Sequence, residues 1–345
     1  TVVNLPPVAV DDAASVSEDA ASVTGNVITD PSTGDADTAP DSDPLTVTAA
    51  MQGGNAIPLG VPFVTAGGGV LTVNGDGSYT FLPGTAYNGL DAGETATETI
   101  TYTVSDGNGG VDTAVLVLTI VGANDAPVVI DPSNPGTPAN PLPAGDPLNI
   151  VPDVSTTDGA TPASVTVGAY IVDPDGEPLT FAAVGLPPGM SIDPSTGTIT
   201  GTLPADASQS GPYTVTVTAT DPDGASVQTT VTYTVVNLPP VAVGETTTVR
   251  QDHSVDIPVL GNDHDLDGDA IRVIAATSPH GTVAVLADGT LRFAPAPGFV
   301  GEAIVTYVVS DGQGGTARAV VRVTVEPEDR TPRLAAPGVP NAPAQ

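Results

Sequence analysis

Three stretches of this chain close in the same way. YTVSDGNGGVDTAVLVLTI (102–120), VTATDPDGASVQTTVTYTV (217–235) and YVVSDGQGGTARAVVRVTV (307–325) each read as a strand, an Asp-rich turn and a second strand. Gly and Asp stand where a hairpin turn needs them. A second shared feature precedes each of these tails: VLTVNGDGSYTF (70–81), MSIDPSTGTIT (190–200) and GTVAVLADGTLRF (281–293), again two strands around a turn. A third lies earlier still: DSDPLTV (41–47), DPDGEPLTF (173–181) and DLDGDAIRV (265–273). The order never changes, so the chain reads as three modules of roughly 110 residues. The expected boundaries are 1–124, 125–236 and 237–328, with 329–345 a flexible Pro/Ala-rich tail.

The decapeptide TVVNLPPVAV occurs twice, at 1–10 and 234–243. Thr-Val-Val is the exit of a last strand, Asn-Leu-Pro-Pro a joint, and Val-Ala-Val the opening of the next module. Proline fixes φ at the joint and keeps the preceding residue out of helix. The first copy leads us to expect a further module upstream of Thr1.

Alternation with period two runs through every tail, as half-buried strands require. Aligning Asp106 with Asp311 matches Ala114, Leu116, Leu118 and Ile120 to Ala319, Val321, Val323 and Val325, the inward set. Thr113 and Val117 then match Arg318 and Arg322, which are costly to bury. Ile100, Tyr102 and Val104 match Val305, Tyr307 and Val309 on the preceding strand, where the second module has Val215, Val217 and Ala219. Short alternating strands in units of this size predict an all-β fold of tandem Ig-like or cadherin-like β-sandwiches in an elongated array.

Charge decides what such an array can meet. The chain has 40 acidic residues against 7 basic ones, a net charge of −33, and no Lys or Arg precedes Arg250. That surface repels nucleic acid and anionic membrane. There is no cysteine, so no disulfide braces the fold. No run of 18 apolar residues and no signal peptide is present in these residues.

The carboxylates fall in three places per module. The early motif holds Asp41 and Asp43; then Asp173, Asp175 and Glu177; then Asp263, Asp265, Asp267 and Asp269. The hairpin turn holds Asp106 and Asn108, Asp221 and Asp223, Asp311 and Gln313. The boundary holds Asn124 and Asp125 before Pro127, and Asn237 before Pro239. Carboxylates packed this closely raise one another's pKa and oppose the compact form. A hard dication with six to eight oxygen ligands removes that cost, and Ca²⁺ suits flexible loops better than Mg²⁺ does. Asp263-x-Asp265-x-Asp267-Gly268 matches the first half of a helix-loop-helix calcium loop, but Ile274 stands where that loop requires Glu. The site is therefore a loop between strands. The same sequences are also ordinary turn formers; threefold recurrence favours the metal.

Several of these motifs resemble known families. Residues 4–124, through NLPPVAVDD, GSYTFLP, ITYTVSDGNGG and GANDAP, resemble the VCBS repeat of large bacterial adhesins. Residues 130–235, through LPPGMSIDPSTGTITGTLP and YTVTVTATDPDG, resemble the Ig-like, dystroglycan-type cadherin-like repeat. Residues 237–325, through VLGNDHDLDGDAIRV and VSDGQGG, resemble cadherin-like modules found in tandem in surface proteins. The resemblance implies secreted or surface proteins of Gram-negative bacteria, often with repeat-in-toxin (RTX) export signals, and Ca²⁺ at module junctions. Carried over, it points to Asp106, Asn124, Asp125, Asp221, Asp223, Asn237 and Asp311. Two departures stand out. Module 1 has an insertion near 50–68 that could displace its early Asp motif, and the 236–240 linker lacks the Asp that follows Asn124.

Catalysis is not expected. His253, His264 and His280 show no metal spacing, and no Gly-rich loop opens a helix. Paired carboxylates could cleave a glycoside, but a sugar cleft is usually lined by aromatics, and Trp is absent. Two functions remain: a calcium-stiffened stalk whose partners are its neighbouring modules, or modules that bind a surface glycan or another cell surface. Tyr79, Tyr87, Tyr170 and Phe299 are the aromatics a binder would use.

Overall fold

The computed structural model describes residues 3–30, 36–131 and 150–328. The tail at 329–345 lies outside them. The described residues form β-strands with a few short 3-10 turns, and none of their helices is long and apolar enough to cross a membrane.

In the first module β1 (Asp12–Ser17), β9 (Val111–Val121), β8 (Thr95–Ser105), β3 (Thr46–Gln52) and β4 (Asn55–Ile57) form one sheet in that order. The facing sheet is β2 (Val23–Asn26), β7 (Ser78–Leu82), β6 (Val70–Val73) and β5 (Phe63–Val64). The second module sets β11 (Val154–Thr157), β18 (Ser226–Val236), β17 (Tyr213–Thr220) and β14 (Thr180–Val184) against β12 (Val165–Thr166), β16 (Thr198–Gly201) and β15 (Met190–Ile192). A small pair, β10 (Val128–Val129) and β13 (Ile171–Val172), lies near the linker. The third module sets β19 (Thr246–Arg250), β25 (Thr316–Glu326), β24 (Gly301–Ser310) and β21 (Arg272–Thr277) against β20 (Val255–Ile257), β23 (Leu291–Pro295) and β22 (Gly281–Val285).

The cores follow the predicted alternation. Ala114, Leu116, Leu118 and Ile120 are buried, as are Ala319, Val321, Val323 and Val325, while Arg318 and Arg322 are exposed. Ile100, Tyr102, Val104, Val305, Tyr307, Val309, Val215, Val217 and Ala219 are all buried as well. Burying each Val, Leu or Ile among them contributes about 1.5–3 kcal/mol. In every module the first long-sheet strand runs parallel to the last: Asp12 pairs with Leu116, Val154 with Tyr233 and Thr246 with Arg322. A module's entrance and exit strands are thus neighbours pointing the same way. Successive modules are placed end to end as a result.

The insertion in module 1 makes β4 and β5 and is tied down by Glu98. This carboxylate is 3% exposed and accepts from Thr65 Oγ1 (2.7 Å), the Gly67 N–H (2.7 Å), Tyr87 Oη (2.5 Å) and the Gln52 amide. Burial would push its pKa up, but these donors outweigh it and hold it below the usual range.

Tyr102 does a second job. Its hydroxyl lies 2.8 Å from Val10 O, 2.8 Å from Asp12 Oδ2 and 3.1 Å from Val27 O, three acceptors around one hydrogen. Burial, reinforced by Asp37, Asp30 and Asp11 and opposed by the Tyr102 hydroxyl, pushes the Asp12 carboxyl up to about 6. The folded module therefore holds this proton more tightly than the unfolded chain, whose Asp titrates near ~3.9. The stabilisation is complete below about pH 4 and is lost as pH rises through about 6. Hydrogen exchange of the β8 and β9 amides should slow as pH falls from 7 to 5, once intrinsic rates are divided out. The expected gain over that range is about 1.3 kcal/mol, out of about 3 kcal/mol reached below about pH 4. Asp12→Asn should flatten that profile; an unchanged profile in the variant would place the titrating group elsewhere.

Candidate functional site

The repeated decapeptide has a structural reason. A Cβ on Gly110 would stand 2.9 Å from Pro6 Cα, and one on Gly315 would stand 2.9 Å from Pro239 Cα. The joint proline of Asn-Leu-Pro-Pro therefore packs on the second glycine of the Gly-Gly turn. At the middle module the corresponding residues are Ala126 on the linker and Ala225 in the turn. Linker and turn thus change together at this position.

The same hydrogen bonds recur at the head of each module. The amide of Asn4 donates to Asp106 Oδ2 (2.9 Å), that of Asn124 to Asp221 Oδ2 (3.2 Å) and that of Asn237 to Asp311 Oδ2 (2.9 Å). The next backbone N–H donates to an early-motif carboxylate: Leu5 to Asp41 (3.1 Å), Asp125 to Asp175 (2.7 Å) and Leu238 to Asp267 (2.7 Å). Asp41 thus sits where its counterparts do, and the insertion does not displace it. Leu238 holds the place of Asp125 through its backbone alone. In module 1, Asn108 closes the head by donating to Asp43 Oδ2.

The foot of the preceding module completes each joint. At joint 1, Glu18 is buried, its N–H bonds Val121 O (3.0 Å), and its Oε1 accepts the Ala123 N–H of the linker (2.7 Å). At joint 2, Asp158 takes that place: its N–H bonds Val236 O (3.3 Å) and its Oδ1 accepts the Ser208 N–H (2.6 Å). The structure brings Asn124, Asp125, Asp173, Asp175, Asp221 and Asp223 together at joint 1, and Asn237, Asp265, Asp267, Asp269 and Asp311 at joint 2. Sequence reasoning did not single out Glu18, Asp158 or Asp91. Glu18 (beside Asp19) and Asp158 stand just past strand ends and Asp91 in a loop, outside the recurring motifs, and the only available signal was nearness to a module exit.

Asp263 is separated from its neighbours in the sequence. Its Oδ1 accepts the Val243 N–H (2.7 Å) and lies 3.2 Å from the Tyr307 hydroxyl, which also meets Glu245 (3.2 Å). The antiparallel bridge between Val241 and His264 turns the chain so that Asp263 points inward. It closes the head of module 3 from inside, as Asp37 does in module 1, where Asp37 Oδ1 accepts the Val10 N–H (2.7 Å) beside the equivalent bridge of Val8 with Thr38.

Two groups of three carboxylates at joint 1 have ligand oxygens within 4.8 Å of one another: Asp173, Glu177 and Asp221, and Asp91, Glu177 and Asp223. At joint 2, Asp265, Asp267 and Asp269 do the same. Buried oxygens without a hydrogen-bond partner gather there: Glu18 Oε2, Asn124 Oδ1, Asp125 Oδ2, Asp173 Oδ2, Asp175 Oδ1 and Glu177 Oε2 at joint 1, and Asp158 Oδ2, Asn237 Oδ1, Asp265 Oδ2 and Asp267 Oδ1 at joint 2. Asp173 and Asp158 are 7% and 1% exposed. Burial, then neighbouring carboxylates, pushes Glu18, Asp125, Asp173, Asp175, Glu177 and Asp269 up, and Asp267 to about 6. Asp106 and Asp311 go the other way: burial opposes ionisation, but the Asn4 and Asn237 amides and turn N–H groups outweigh it. Acceptor oxygens without donors, in carboxylate groups including deeply buried members, are what an oxygen-ligated dication requires.

Family comparisons agree with this architecture. Residues 4–122 match the model for a bacterial cadherin-like domain, residues 146–236 that described as "Putative Ig domain", and residues 237–324 that for a bacterial Ig domain. The chain is a tandem run of bacterial cadherin-like and Ig-like domains, and repeats of this kind are non-catalytic. Its first domain matches the bacterial cadherin-like model where the sequence motifs pointed to the VCBS repeat. Among solved structures, human CDH23 EC21-23 is 16% identical over 93% of this chain and 100% of that one, with a TM-score of 0.44. Mouse Cadherin-23 EC22-24 is 15% identical over 94% and 100%, with a TM-score of 0.42. Sidekick-1 immunoglobulin domains 1-5 are 16% identical over 95% of this chain, which spans 60% of that structure, with a TM-score of 0.33. No curated protein matches the chain.

Proposed function

We propose that the chain is a calcium-stiffened extender segment of a large secreted or surface adhesin of a Gram-negative bacterium, of the VCBS-bearing, RTX-exported kind. The modules divide at 124/125 and 236/237, and each module's working partner is the next. The observation that carries this reading is the set of partnerless buried oxygens at both joints. Asp173, Asp175, Asn124, Asp221 and Glu18 would hold Ca²⁺ at joint 1; Asp265, Asp267, Asp269, Asn237 and Asp158 would hold it at joint 2. The ion supplies positive charge where one module's foot meets the next module's head. It removes carboxylate repulsion and fixes the angle between modules.

The glycan-binding reading has less support. Tyr79 and Tyr87 are core residues, while Tyr170 and Phe299 pack against the cores of their modules.

Calorimetry tests the proposal. Each equivalent independent site saturated at a hundred times its Kd should add about 2.7 kcal/mol. Melting should therefore rise by many degrees from a chelated sample to one in millimolar Ca²⁺, with little effect of equal ionic strength as NaCl. Coincident melting curves in chelator and Ca²⁺ would reject it.

A further inference from the structure

Every basic residue of the chain is an arginine, and the arginines on strands all belong to module 3. Arg250, Arg272, Arg318 and Arg322 share one surface, the outer face of the sheet β19-β25-β24-β21. Arg318 and Arg322 alternate on β25 with the buried Ala319, Val321 and Val323. Arg250 pairs with Glu326, and Arg272 pairs with Ser310, which pairs in turn with Thr316. Directly paired residues point to the same side, so all four guanidinium groups stand on that face.

The equivalent positions are neutral in the other two modules. Strand register places Ser17 and Thr157 where Arg250 stands, and Thr46 and Thr180 where Arg272 stands. Thr113 and Gln228 correspond to Arg318, and Val117 and Thr232 to Arg322. Module 3 alone is cationic here, at four positions on three strands. The acidic average of the chain does not extend to this face.

The four groups are evenly spread. With ~3.4 Å per residue and ~4.8 Å between strands, the Cα atoms of Arg250, Arg322, Arg318 and Arg272 lie about 14, 14 and 12 Å apart in that order, along a diagonal. Arg322 bonds Glu302 (2.7 Å) and Arg250 stands opposite Glu326. Arg272 and Arg318 have no ion pair among the described residues. Thr246, Thr248, Thr306, Thr316 and Thr324 lie between or beside the arginines on the same face.

A guanidinium grips an oxyanion through two parallel N–H bonds, which an ammonium cannot do. A line of such forks on a hydroxyl-bearing sheet suits a long chain with spaced anions and many hydroxyls. A protein partner would bring aromatic or other large apolar anchors and need apolar surface to receive them. The exposed large apolar side chains of this sheet face are Ile274 and Val320. A second copy of the chain, with its net charge of −33, is repelled as a whole.

We propose that the outer face of the β19-β25-β24-β21 sheet is a docking surface for a linear acidic polysaccharide, with Arg272 and Arg318 as the main ligands of its anionic groups. The site uses no aromatic stacking and does not depend on the calcium reading of the joints.

Interferometry of the full chain on immobilised hyaluronan and dextran sulfate, with uncharged dextran as the blank, tests this. At about 0.15 M ionic strength the Debye length is about 8 Å, which screens the face from distant carboxylates. The chain should bind at least one acidic polymer, and equally in chelator and in millimolar Ca²⁺. Arg272→Gln with Arg318→Gln should raise Kd about tenfold or more, and Arg272→Lys with Arg318→Lys should recover only part of that. Arg292→Gln, on the facing sheet and paired with Asp256 (2.6 Å), should leave Kd within about twofold. No binding to either polymer, an unchanged Kd in the double Gln variant, or an equal loss in Arg292→Gln would overturn the inference. So would binding that requires Ca²⁺, which marks bridging by the ion. Capture by phosphatidylglycerol vesicles alone, or self-association in light scattering that the double Gln variant abolishes, would assign the face to a membrane or to a second copy instead.

Discussion

Asp175→Asn should uncouple joint 1 from calcium while leaving the modules folded. Asp175 Oδ2 accepts the Asp125 N–H, and its Oδ1 is buried without a partner. The amide is the same size and can keep the linker bond through its oxygen. What it loses is the charge and one ligand oxygen, and it turns a donor toward the place a cation would fill. In titration calorimetry the joint 1 sites should weaken at least about tenfold, the equivalent of 1.4 kcal/mol. Joint 2 sites should keep their affinity, because they share no ligand with joint 1. An isotherm identical to the parent's would remove Asp175 from the site.

Glu98→Ala should be the most damaging single change in module 1. Four donors, from Gln52, Thr65, Gly67 and Tyr87, converge on one buried carboxylate. Removing it leaves the Gln52, Gly67 and Tyr87 donors without an acceptor in a dry place, while Thr65 Oγ1 keeps only Gly69 O (3.3 Å), and each unsatisfied group costs about 1–3 kcal/mol. Relaxation of the 50–68 insertion toward solvent will recover part of that. A net loss of about 3–5 kcal/mol is expected in denaturant unfolding of module 1. Glu98→Gln keeps the shape and one acceptor oxygen, so it should lose less. Loss under about 1 kcal/mol for the alanine variant would mean that the insertion is not held by this network.

The fold was legible because alternation and inward-outward chemistry agree. The register that put Arg318 and Arg322 outward placed Ala319, Val321, Val323 and Val325 in the core. The parallel pairing of first and last strands was not legible, since it joins residues as distant as Asp12 and Leu116, or Thr246 and Arg322, and leaves no local pattern. Asp175, Asp267 and Asp311 could be singled out because their motifs recur in order. Glu18 and Asp158 could not, because an acid just past the end of a strand, outside any recurring motif, looks like any solvated residue. Asp263 reads as one more member of an Asp run, yet a one-residue change of side in a strand bridge sends it inward to Tyr307. Spacing along the chain shows which carboxylates are near one another; only the backbone path shows which face they share.

Small-angle scattering across a calcium titration reads the stiffening of the joints in the intact chain. The maximum dimension and radius of gyration of the full chain should increase as Ca²⁺ is added to a chelated sample, and the pair-distance distribution should become that of a stiffer rod. A profile that does not change from chelator to millimolar Ca²⁺ would contradict that stiffening.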